Sequence, residues 1–140
     1  MRFDRTPPLY FDPHDHNSDI PMTVLPISEQ PPFTTADGST IRSILDLSNA
    51  PVVNQSLAEA TLPASGSTQR HYHRLSEEFY FILEGRGTTE IDGDSCEVGP
   101  GDAILIPPGA WHQIRSADEA SLRFLCCCAP PYSHEDTYFS

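Results

Sequence analysis

The stretch His71-Tyr72-His73-Arg74-Leu75-Ser76-Glu77-Glu78-Phe79-Tyr80-Phe81-Ile82-Leu83-Glu84-Gly85 reads in steps of two. Alternate side chains of an extended strand share a face, so His71 and His73 point the same way, with imidazoles close enough to share an ion. A turn over Arg74 to Ser76 and the run EFYFILE predict a second strand. Antiparallel pairing with the first would bring Glu78 beside the imidazoles. The same parity groups Tyr80 and Ile82 with Glu78, and Gln69 with the two histidines. Gln69 and Tyr80 are therefore candidates to line a pocket and hold or orient a substrate. Glu77 is a rival carboxylate ligand and a candidate to move a proton. Phe79, Phe81 and Leu83 fall on the opposite face, which is too apolar to stay wet, so a second sheet or a second subunit should cover it.

Outward from this stretch the text from about residue 40 keeps the same grammar: TIRSILDL, SLAEATL, TQRHYH, TTEID, CEV, AILIP, WHQIR and SLRFLCC. Turn residues separate them, among them Asp92-Gly93 as a tight hairpin and Pro107 to Gly109 as a sharp turn. About nine short strands without a convincing amphipathic helix predict an all-β sandwich or barrel of jelly-roll type. Residues 47 to 55 have room for one helical turn, limited by Pro51. Seven of the fourteen prolines lie before residue 38. The expected organisation is an extended Pro-rich arm over 1–38, a β-barrel domain over 39–130 and a C-terminal tail over 131–140. The arm carries Leu9, Tyr10, Phe11, Ile20, Met22, Val24, Leu25 and Ile27, too many apolar residues for a free linker, and is expected to lie against the body or a partner subunit. Its own His-x-His, His14 and His16 beside Asp12 and Asp15, reads as a solvated polar segment.

The unit GDAILIPPGAWHQI supplies a further imidazole, because the turn over Pro107 to Gly109 feeds His112 into a strand. Ile114 shares its inward face, and Trp111 points away to an edge or interface. His71, His73, Glu78 and His112 would together suit one divalent transition ion, Fe(II), Mn(II), Ni(II), Co(II) or Zn(II), better than the oxygen-rich cages of Ca(II) or Mg(II).

These residues carry a resemblance to the cupin superfamily. His71-x-His73 is followed after four residues by Glu78 and after six more by Gly85; Gly101 leads after five residues to Pro107-x-Gly109 and after two more to His112. Two positions depart from the family pattern: Gly66 stands four residues before His71 instead of five, and Ser116 replaces a terminal Asn. The resemblance spans about residues 40 to 130. It implies a double-stranded β-helix, with His71, His73, Glu78 and His112 as metal ligands, and favours Glu78 over Glu77 because only Glu78 keeps the distance to Gly85. It also implies a homodimer, with the arm suited to exchange between protomers. Some relatives are metal-free, which leaves room for histidines without an ion.

Composition prunes the functions. A formal net charge of −12 opposes a nucleic-acid or membrane partner. All eight basic residues are Arg, which removes Schiff-base, P-loop and general-base lysine chemistry. The N-terminal residues contain no signal-like apolar run, so a cytoplasmic protein with reduced thiols is expected. Cys126, Cys127 and Cys128 read as core strand, with Leu122, Phe124, Cys126 and Cys128 inward and Arg123 of open register. Gln69 and Tyr80 as the expected polar lining, without a basic group, argue against phosphosugar substrates. The expected activity is a small-molecule dioxygenase or oxidase; the alternatives are a Lewis-acid isomerase, epimerase, cyclase or lyase, and a non-enzymatic metal- or ligand-binding module.

Overall fold

The computed structural model describes residues 22–140, and among them the secondary structure is eleven strands and two short 3₁₀ turns, with no α-helix. The strands are β1 (Phe33–Thr34), β2 (Thr40–Leu45), β3 (Ser56–Leu62), β4 (His71–His73), β5 (Glu77–Glu84), β6 (Gly87–Ile91), β7 (Asp94–Val98), β8 (Ala103–Ile106), β9 (His112–Ser116), β10 (Leu122–Ala129) and β11 (Thr137–Phe139). They form two antiparallel sheets, ordered β1-β2-β3-β10-β5-β8 and β11-β4-β9-β6-β7, the two walls of a jelly roll.

The inward faces explain where a cavity can exist. Along β3 they run Ser56, Ala58, Ala60, Leu62; along β10 Cys128, Cys126, Phe124, Leu122; along β5 Glu78, Tyr80, Ile82. Leu62, Leu122 and Ile82 are fully buried and fill one end with Ile106 and Ile114. At the other end small or polar side chains replace them, and the space they leave is the cavity. Two turns need glycine. Asp92 and Gly93 both have positive φ, the two-residue hairpin that the sequence announces between β6 and β7. Gly85, at φ 84°, would place a Cβ only 2.2 Å from the Ser121 carbonyl oxygen.

The structure corrects several expectations. β4 and β5 do not pair: β4 lies between β11 and β9, and β5 between β10 and β8, so the chain changes sheets at Arg74 to Ser76. Asp136 holds this corner, its carboxylate accepting from the Leu75 and Ser76 N–H groups while its carbonyl accepts from Arg74 N–H. Two strands lie beyond the nine that the sequence predicts: β1 falls in the stretch expected to be arm, and β11 in the stretch expected to be tail. Among the described residues no second sheet covers Phe79 and Phe81, which are 50% and 43% exposed. Of the apolar arm residues, Met22 and Val24 are exposed and Leu25 is half-buried, while Leu9, Tyr10, Phe11, Ile20, His14 and His16 lie outside the described residues. The helical turn occurs at its expected place, Ala50 N–H donating to Asp46.

Candidate metal centre

Two walls meet at the site. From one sheet, β4 supplies His71 and His73, and β9 supplies His112, which stands directly opposite His71 in register. From the other, Glu78 reaches across from β5. All four side chains are buried, and one potential ligand atom of each lies within 4.8 Å of all the others. Glu78 Oε1 sits 3.4 Å from both His73 Nε2 and His112 Nε2.

The imidazoles are oriented by what their outer nitrogens touch. His71 Nδ1 donates to the Gln69 carbonyl at 2.7 Å, and His112 Nδ1 to the Ala110 carbonyl at 2.9 Å, the same two-residue reach back along the chain. A carbonyl can only accept, so each ring carries a proton on Nδ1 and turns Nε2 inward as its potential ligand atom. His73 obtains the same tautomer differently: the Thr137 hydroxyl donates to the Ser133 carbonyl and accepts from His73 Nδ1 at 3.1 Å. Outer partners of this kind fix the ring planes of metal-binding histidines.

Electrostatics point the same way. Burial alone would raise Glu78, but contact with His112 and His73 holds its carboxyl well below the usual carboxylate range, so it is an anion. Burial lowers His71, reinforced by repulsion from His112. Burial pulls His73 down as well, yet the neighbouring Glu78 carboxylate overcomes this and leaves it raised. Two buried atoms, Glu78 Oε1 and His112 Nε2, have no hydrogen-bond partner. Such orphans are costly in a stable protein, and a cation between them would satisfy both. The donor set of three imidazoles and a carboxylate fits a divalent transition ion.

The cluster opens on a cavity of ≈ 80 Å³, room for several waters or one small molecule. Tyr80, Cys126 and Cys128 line it opposite the imidazoles. Burial, helped by the Glu78 charge, pushes all three hydroxyl and thiol groups up, so they are protonated donors at neutral pH. Tyr80 lies where parity puts it. Gln69 does not: its side chain is exposed and donates to the Ser140 carbonyl, because the strand begins only at His71 and alternation cannot be extended back. Thr68 takes the cavity position instead. Glu77 opens β5 on the outer, exposed face, turned away from the cavity, and is not among the four clustered potential ligands. Arg123 is likewise outside, paired with Glu59 and Glu84. Trp111 packs on Tyr72 and under Arg70 at the outer face of its sheet. Sequence reading missed Thr137, Asp136 and Asp37. Asp37 caps the cavity from the β1–β2 loop with its Oδ1 accepting from Thr35 and Ser39. Only an acidic residue in a Gly-containing turn signals it in the text.

Comparison with known proteins adds to this geometry. Residues 58–128 match the sequence profile described as the cupin domain. An uncharacterized protein of Methanocaldococcus jannaschii is 49% identical over 106 residues, 76% of this chain and 85% of that protein. The structure of the polyketide cyclase RemF from Streptomyces resistomycificus superposes with a TM-score of 0.68 at 26% identity, covering 82% of this chain and 89% of that one. The 5-aminosalicylate 1,2-dioxygenase of a Comamonas species is 27% identical over 88 residues, 63% of this chain but only 24% of that protein.

Proposed function

This chain belongs to the cupin family, and we propose that it is a metalloenzyme holding one divalent transition ion, Fe(II), Mn(II), Ni(II), Co(II) or Zn(II), on His71, His73, Glu78 and His112, and acting on a small molecule in the adjoining cavity. The observation that carries this reading is the convergence of the orphaned Glu78 Oε1 and His112 Nε2 with the other two imidazoles. Bound there, the ion would supply Lewis acidity toward a carbonyl or, if redox-active, a route to dioxygen.

Of the reaction classes, Lewis-acid chemistry of the isomerase, cyclase or lyase kind has the broader support, since the likeness to a polyketide cyclase runs through most of both chains. Tyr80, which burial keeps protonated on the cavity wall, would orient a substrate oxygen by donating a hydrogen bond to it. The dioxygenase reading rests on a likeness that touches a quarter of the relative. Elemental analysis of protein purified without added metal tests the ion: about one equivalent per chain is expected, and none even after soaking with Co(II) or Zn(II) refutes it. Proton exchange of β-diketones and hydroxyacids in deuterated water is then expected, without oxygen uptake. Uptake with catechols would reverse the order of the two readings, and binding without turnover would leave a ligand-binding module.

The proposed setting is a cytoplasm that keeps all four described cysteines as free thiols. No helix among the described residues is long and apolar enough to cross a membrane. The proposed partner is a second copy of the chain, over the outer face that exposes Phe79, Phe81 and Leu105. Light scattering showing a monomer at micromolar concentration would refute the homodimer.

A further inference from the structure

We infer that Cys128 is a positioning residue that commits Glu78 to a single donor atom, and so sets how many places the bound ion keeps for substrate. The inference rests on the metal reading above and deepens it.

Cys128 and Glu78 are direct neighbours across β10 and β5, both inward, and buried to 2% and 4% exposure. The Cys128 thiol donates to Glu78 Oε2 at 3.0 Å. The two carboxylate oxygens therefore have different surroundings: Oε2 is taken by the thiol, whereas Oε1 has no hydrogen-bond partner and faces His73 and His112. A carboxylate with both oxygens free can chelate an ion with two atoms. With Oε2 held, only Oε1 is offered, and three imidazoles plus one oxygen leave two positions of a six-coordinate ion open. Two-atom chelation would leave one. The bland alternative treats Cys128 as a small apolar core residue, which a valine would replace without consequence.

The test uses the full chain loaded with Mn(II), whose bound waters are counted by water-proton relaxation, with the Co(II) absorption spectrum as a second record of coordination. Cys128→Ala and Cys128→Val, which remove the donor, are expected to lose about half of the inner-sphere relaxation and to shift the Co(II) bands. Cys128→Ser, which keeps a donor, is expected to match the wild type in both. Alanine is smaller than cysteine and valine larger, so an effect shared by both cannot come from a cavity defect alone, and circular dichroism of each metal-free variant checks folding. Relaxation in the Ala or Val variant equal to wild type overturns the inference, as does a fall in the Ser variant. If wild-type protein binds neither Mn(II) nor Co(II), it is the metal reading that fails, and the inference falls with it.

Discussion

The two walls of the barrel reach the same site by different means. On the imidazole wall, His71 and His112 are locked by carbonyls two residues back, so their orientation comes with the local chain path. On the opposite wall, Glu78 is held by a thiol fifty residues away in sequence, and its position depends on the corner that Asp136 fastens from sixty-one residues away. Local locks survive most surface change. The carboxylate wall should be the easier one to break.

The largest effect is expected at the meeting point. Glu78→Gln and His112→Ala should each lower Co(II) affinity by about two orders of magnitude or more, measured by competition with a chromogenic chelator, since a whole ligand is lost and not just its support. Next in size is Asp136→Ala. It strips the acceptor from Leu75 and Ser76 N–H, and is expected to destabilise the metal-free protein by about 1–3 kcal/mol in urea titration, with roughly tenfold weaker metal binding as Glu78 drifts. Thr137→Val sharpens the contrast within the imidazole wall. His73 alone of the three has its Nδ1 held by another side chain, so this hydrogen bond can be removed without touching the ring. About tenfold weaker metal binding is expected, with the metal-free protein destabilised by about 1 kcal/mol as the His73 N–H loses its acceptor.

How much of this was legible follows from the same distinction. The strand parity of β5, the Asp92-Gly93 hairpin and the spacing of His71, His73, Glu78 and His112 are local facts, and they carry over from text to structure. Alternation cannot say which sheet a strand joins. Alternation and a short turn alone predict that β4 and β5 pair, whereas a corner made by a distant aspartate sends them to opposite walls. Parity also fails wherever a strand stops, as it does between Gln69 and His71. Asp136 and Thr137 sit in ten residues that look like a polar tail, of which Thr137–Phe139 become a strand only by pairing with β4 while Asp136 closes the 3₁₀ turn before it.

A smaller effect separates the walls by pH. Glu78 has a folded-state value below its ordinary 4.5, so its contribution to stability is present above that pH and is lost as pH falls through the folded value. Urea titrations of metal-free protein between pH 6 and 3 should show stability declining on the acid side. Glu78→Gln should flatten that limb, and an unchanged acid limb in the variant would mean that the carboxylate is not the anion described above.

The smallest effect is the most diagnostic. Glu77 and Glu78 are the same residue at adjacent positions on one strand, and only the pleat distinguishes them. If the fold alone decides which is a ligand, Glu77→Gln should leave Co(II) affinity within about a factor of two, the exposed carboxylate being screened by solvent. Gln69→Ala should do the same, because its contact with His71 is through the backbone carbonyl, which alanine retains. A tenfold loss in Glu77→Gln would mean that the register of β5 slips by one residue when metal binds. That slip would also carry Phe79 and Phe81 inward, so the paired measurement tests the orientation of the whole strand through a substitution that touches nothing in the cavity.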